Sequence, residues 1–149
     1  MGRRRMLEDD LGFLLTRASA VLVKATNEAL APLGLKVRGY SVLALVCDEP
    51  DGVTQRRLAD DVGLDPSQIV ALVDDLEGRG LVVRTPDPND RRNKLIVATD
   101  DGRDLYEQGR RRSAETAARH LATFRAEELD TMRTILTRMV FPEPDDVAS

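Results

Sequence analysis

The sequence predicts a mainly α-helical chain with one small β-hairpin, an α+β fold, and three observations support this. Ala, Leu and Val dominate while aromatics are few, with three Phe, two Tyr and no Trp, a composition suited to helices packed through aliphatic side chains rather than to a sandwich or barrel. Apolar residues recur at three- and four-residue steps over most of the chain. The exception is residues 81–99, where two Val- and Ile-containing runs flank a tip rich in proline and charge. At 149 residues the chain has the size of one domain.

Leu7, Leu11, Leu14, Leu15, Ala18, Val21, Leu22, Ala25 and Ala29 mark one face of a long first helix over residues 7–33, punctuated by Pro32 and Gly34. A second helix over 37–48 carries Val42, Leu43, Leu45 and Val46 and ends at the turn Glu49-Pro50-Asp51-Gly52. Thr54 is placed to cap a short third helix that buries Leu58, Ala59 and Val62. The turn Gly63-Leu64-Asp65-Pro66 is the most informative in the chain. Asp65 can cap the next helix, Pro66 suits its first turn, and Gln68 completes a variant capping box. Ile69, Leu72, Val73 and Leu76 form the apolar face of that fourth helix, which stops at Gly78 or Gly80. Two helices joined by a tight glycine-containing turn, the second opening with small polar side chains, form a helix-turn-helix pattern. The following hairpin makes the unit over 54–99 a winged helix-turn-helix, with 90–99 as its wing. A helix from Asp100 or Asp101 to about Phe124 comes next. A final one is marked by Leu129, Met132, Ile135, Leu136, Met139 and Val140 and closed by Pro142. Residues 142–149 read as a disordered tail, and Arg3, Arg4 and Arg5 as a mobile basic arm or a disordered terminus.

The net charge of −4 does not by itself suggest a nucleic-acid partner, but local charge governs phosphate contact. Residues 79–94 hold five basic side chains against two acidic ones, a local excess of +3. The single cysteine excludes an intramolecular disulfide framework. No signal-like or membrane-length apolar run is present, so a soluble cytoplasmic protein is expected. No phosphate-binding glycine loop, nucleophile elbow or HExxH pattern points to an enzyme, and a lone His120 leaves no metal-ligand cluster. No cofactor is expected.

The run Asp90-Arg91-Arg92-Asn93-Lys94-Leu95-Ile96-Val97-Ala98-Thr99 resembles the wing signature of MarR-type regulators, with Asp90, Arg92 and Thr99 at the matching positions. Gly34-Leu35, Tyr40-Ser41-Val42-Leu43, Leu58-Ala59 and the segment from Leu72 to Val82 are similar to the same family in order and type. The resemblance implies a homodimer in which residues 7–33 and 100–141 build a shared helical dimerisation base and residues 37–99 form the DNA-binding module. It also implies transcriptional control of a pseudo-palindromic operator, usually repression relieved by a small aromatic or lipophilic ligand held between base and module. One departure stands out: Ala71 and Asp75 occupy reading-helix positions where the family often has arginine. An Asp75 facing DNA would repel phosphate and shift the burden of binding to the wing.

Within this frame Ser67 and Gln68, at the start of the reading helix, are candidates for phosphate or base contact, since a glutamine amide can pair bidentately with adenine. Gln68 serves equally well as a helix cap. Arg91 and Arg92 suit a narrow minor groove, with Asp90 bracing the tip by accepting hydrogen bonds from loop N–H groups or from an arginine. Thr54, Gln55 and Arg56 open the third helix, whose N-terminus favours phosphate, and Arg57, Arg84 and Lys94 are further phosphate candidates. Arg17, Tyr40 and Cys47 are candidates for the ligand cleft. Two alternatives are a winged-helix protein-interaction module that has lost DNA binding, suggested by Ala71, Asp75 and the net charge, and a redox-sensing regulator using Cys47.

Overall fold

The structure, a computed structural model, describes residues 7–143; the basic arm at Arg3 to Arg5 and the expected tail beyond residue 143 lie outside them. The chain divides into two compact units, one reaching to Ala117 and one from Ala118 onward.

In the first unit, helix α1 spans Leu11–Leu30. The helix expected from residue 7 is interrupted at 9–10: residues 7 and 8 are helical, the chain then turns, and the Asp10 carboxylate accepts the Phe13 N–H at 2.9 Å and caps α1. A 3₁₀ turn at Ala31–Leu33 holds Pro32, and Gly34 closes it in the left-handed region at φ 66°. Helix α2 (Val37–Asp48) follows, then α3 (Gln55–Val62) with Thr54 accepting the Arg57 N–H at 3.2 Å. Gly63, at φ 72°, turns the chain into α4 (Pro66–Gly78). Strands β1 (Val82–Pro86) and β2 (Lys94–Ala98) pair antiparallel, with Val82 opposite Ala98 and Pro86 opposite Lys94. Val53 adds a bridge to Ile96 on the other edge of β2, its N–H and C=O both bonded there.

These elements close on one aliphatic core. Leu30, Val42, Leu43, Val46, Leu58, Ile69, Val73, Leu76, Val82 and Ile96 are all buried, each contributing about 1.5–3 kcal/mol relative to an exposed position. Helix α5 (Asp100–His120) leaves the wing through Thr99. The Thr99 N–H donates to Leu81 C=O at 3.0 Å, its hydroxyl donates to Gly80 C=O at 2.7 Å, and the Gly102 N–H donates back to that hydroxyl at 3.0 Å. Gly102 then packs directly on the Leu81 carbonyl. Tyr40 of α2 stacks on Tyr106 of α5 with ring centroids 5.8 Å apart.

In the second unit α5 ends at His120, short of the Phe124 that its spacing suggests, and α6 covers Ala126–Val140. A turn with Phe124 N–H on Leu121 C=O intervenes. The Arg125 N–H donates to the Glu128 carboxylate at 2.8 Å, which starts α6. Ile135, Met139, Val140 and Phe141 stand exposed. Among the described residues no single helix is long and apolar enough to cross a membrane.

Candidate nucleic-acid interface

Thr54, Gln55 and Arg56 at the start of α3 face Arg84, Arg92 and Lys94 of the hairpin across a concavity of about 470 Å³, with Asn93 on its wall. Six residues singled out from three separated stretches of sequence thus converge. Asn93 was missed, since nothing in its neighbourhood distinguishes it from an ordinary turn residue. Arg56, Arg92 and Lys94 are exposed, and among the described residues none of them is held by a carboxylate within 4.0 Å.

Arg84 is different. Its side chain is only 18% exposed. Nη2 donates to Asp74 Oδ1 at 2.6 Å and Nη1 to Glu77 Oε1 at 2.7 Å, while Nε and Nη2 share Gln55 Oε1 at 3.2 and 3.0 Å. Burial alone would pull this guanidinium down, but hydrogen bonds to Asp74 and Glu77 outweigh it and hold the pKa above its ordinary value. Arg57 is also occupied, bonded to Glu49 at 2.6 Å and 3.5 Å from Asp61.

The hairpin tip is shaped by two aspartates. Asp87 accepts the Asn89 N–H at 2.9 Å and Asp90 accepts the Arg92 N–H at 3.0 Å, each folding the backbone two residues on. Asn93 N–H then donates to Asp90 C=O, and Asp87 N–H to Asn93 C=O. Arg91 and Arg92 lie exposed on this ordered loop.

At the start of α4, Ser67 and Gln68 are exposed, apart from the concavity. Gln68 Oε1 accepts the Asp65 N–H at 3.3 Å. That leaves its NH₂ as the available end, so bidentate pairing with adenine requires the cap to open. Asp75, seven residues after Gln68 and so on the same face of α4, is exposed, borders a second cavity and sits 3.9 Å from Arg79.

That second cavity, about 800 Å³, lies between the end of α1, the 34–36 loop, the start of α2 and the α3–α4 turn. Val23, Leu35, Val37, Val62, Leu64 and Leu72 give it apolar walls, and Lys36, Arg38, Asn27 and Ser41 add polar groups. Arg17, Tyr40 and Cys47, the residues expected to line a ligand cleft, are not among its walls. On α2 the cavity takes Val37, Arg38, Gly39 and Ser41, whereas Tyr40 and Cys47, seven residues apart and so on one helix face, turn toward α5. Tyr40 is stacked on Tyr106, Gly109 lies against its ring, and the Cys47 carbonyl accepts from Arg103 at 3.3 Å. Arg17 is exposed on α1, more than one turn before Val23. Burial pushes the Cys47 thiol up, only partly opposed by Arg103 and reinforced by Glu107. Burial likewise raises Tyr40, with Tyr106 beside it.

Two helices and a β-hairpin over one core, with exposed cations grouped between them, define a winged helix-turn-helix protein. The model of the MarR family matches residues 33–93. Among solved structures the chain is similar to CouR from Rhodococcus jostii RHA1, crystallised with p-coumaroyl-CoA, at 50% identity over 92% of this chain and 96% of that one, with a TM-score of 0.86. It is similar to a MarR-family transcriptional regulator from Rhodococcus sp. RHA1 at 48% identity over 92% and 98%, with a TM-score of 0.88. A transcriptional repressor CouR bound to a 23-mer DNA duplex matches at 31% identity over 89% and 94%, with a TM-score of 0.81. The chain belongs to the MarR family of transcriptional regulators.

Proposed function

We propose that the protein is a cytoplasmic, dimeric repressor that binds a pseudo-palindromic operator and releases it when a small ligand enters the 800 Å³ cavity. The observation that carries this reading is the concavity in which Arg56, Arg92 and Lys94 stand exposed beside the start of α3, with no carboxylate partner among the described residues. Cations without carboxylate partners are what phosphate neutralisation needs. Thr54, Gln55, Arg56, Asn93 and Lys94 take the backbone, Ser67 and Gln68 enter the major groove, and Arg91 and Arg92 reach the minor groove on the loop that Asp90 folds.

Dimerisation draws on apolar surface in each unit. Leu11, Leu14, Val21 and Val23 are exposed on α1, as are Ile135, Met139, Val140 and Phe141 on and just after α6, more than a free monomer ordinarily leaves in water. The ligand class follows from the CouR complex and from the cavity walls. An aryl thioester of coenzyme A can place its ring among Leu35, Val62, Leu64 and Leu72 and its phosphates near Lys36 and Arg38.

Gel-shift titration on a duplex enriched from a random pool tests the first half. The expected result is a sequence-preferring complex that weakens steeply with salt, while no complex at low ionic strength refutes it. Adding p-coumaroyl-CoA is expected to release the duplex where p-coumarate or coenzyme A alone does not. Release by none of the three removes that ligand class. Sedimentation at micromolar concentration is expected to give twice the chain mass, falling to one chain with Ile135→Glu and Met139→Glu.

A further inference from the structure

The Arg84 cluster has a feature that phosphate binding does not explain. A guanidinium has five N–H donors, and Arg84 already directs four of them to Asp74, Glu77 and Gln55. Two carboxylates around one cation leave the cluster with a net negative charge, so it repels a phosphate rather than attracting one. The Arg84 backbone N–H also donates to Glu77 at 3.2 Å, fixing β1 as well as the side chain. Three elements are joined at this point: the first residue of α3 through Gln55, the second half of α4 through Asp74 and Glu77, and the middle of β1.

We propose that Arg84 is a positioning residue, which locks the hairpin to the reading helix and orients Gln55, and that it does not itself hold DNA; the inference rests on the DNA-binding reading above. The wing and the reading helix must meet two grooves of one duplex together, so the angle between β1 and α4 sets whether both can engage. Isolated exposed ion pairs contribute little, but here the guanidinium is half-buried, forked and tied to three acceptors, although the two carboxylates stay exposed. With Gln55 Oε1 occupied by Arg84, the Gln55 NH₂ is the end left for a phosphate oxygen. Lysine cannot replace this arrangement, since a single ammonium has no planar fork to span the set.

The test measures duplex affinity by fluorescence anisotropy across a salt series, with folding checked by circular dichroism and melting. Arg84→Ala is expected to weaken binding about tenfold with the slope of log affinity against log salt unchanged. Arg84→Lys is expected to weaken it to a similar extent, and it carries the test if the alanine variant does not fold. Asp74→Ala with Glu77→Ala is expected to weaken binding even though two negative charges leave the module, the opposite of what charge alone predicts. A slope reduced by about 0.9 in Arg84→Ala, the signature of one lost phosphate contact, overturns the inference. So does rescue by lysine, unchanged affinity in Arg84→Ala, or tighter binding by the double variant. Wild-type protein that forms no salt-sensitive complex overturns the DNA-binding reading and this inference with it. Normal wild-type binding with any of the four contrary results overturns the positioning role alone.

Discussion

Replacing Gly102 with alanine sets two opposing effects against each other, and the structure decides their sign. Alanine in place of glycine within a helix ordinarily stabilises by up to about 1 kcal/mol. At Gly102 the added Cβ would lie 2.0 Å from the Leu81 carbonyl oxygen, whereas real Cβ contacts begin near 3.0 Å, so backbone must move by about 1 Å. Overpacking of this kind costs about 1–3 kcal/mol. The carbonyl that must move also accepts the Thr99 N–H at 3.0 Å, and weakening that bond adds about 1 kcal/mol. The expected net result is a loss of about 2 kcal/mol, or a melting temperature lower by about 4–8 °C for a chain of this size. Gly78 is the internal control, being helical with nothing within 4 Å of a built Cβ, so Gly78→Ala is expected to leave the melting temperature unchanged or raise it. Thermal unfolding followed by circular dichroism measures both. An alanine at Gly102 as stable as wild type, or a larger loss at Gly78 than at Gly102, would refute the reasoning.

Arg92→Ala is expected to weaken duplex binding and to lower the salt slope by about 0.9 if its guanidinium neutralises one phosphate, with the sedimentation profile unchanged; an unaltered affinity removes the wing tip from the mechanism. Arg79 donates to the Leu33 and Gly34 carbonyls at 2.9 Å each, tying the end of α4 to the loop beside the cavity, so Arg79→Ala is expected to cost about 1–3 kcal/mol in urea unfolding. Denaturation indistinguishable from wild type would count against those bonds. For Cys47 the thiol is raised by burial, so its thiolate fraction at neutral pH is below that of a free cysteine. Iodoacetamide labelling is therefore expected to be slow at pH 7 and to climb only above the ordinary thiol range near about 8.5. Rapid labelling at pH 7 would revive the redox reading.

Periodicity and turn chemistry were enough to read the order of elements, because those signals are local. Thr54 and Gln68 act on backbone three residues from themselves, and Asp90 folds the wing tip through a contact two residues away. Element ends were less legible: the helix expected from residue 7 is interrupted at 9–10, and α5 stops before Phe124. The candidate interface was readable as a set of residue types, since a capped helix start and a basic hairpin tip are each recognisable locally, although about thirty to forty positions of sequence separate them and only the fold brings them together.

Which cation meets a carboxylate is decided by distant partners. From sequence, Arg84, Arg92 and Lys94 are equivalent basic residues of one hairpin, yet among the described residues it is Arg84 of the three that meets carboxylates, which α4 brings to it from ten and seven positions earlier in the chain. Asp75 reads as an obstacle to DNA, and the structure leaves it exposed on the face of α4 that Gln68 shares, where the fold also brings it to the border of the cavity. Tyr40 and Cys47 share a helix with cavity residues but not its face, because α5 claims the other side of α2. Local rules act through the backbone within a few residues, so sequence carries them directly. The state of a charge or the direction of a side chain depends on which non-local group arrives first, and that is fixed only when the core of Leu43, Leu58, Ile69, Val82 and Ile96 has closed.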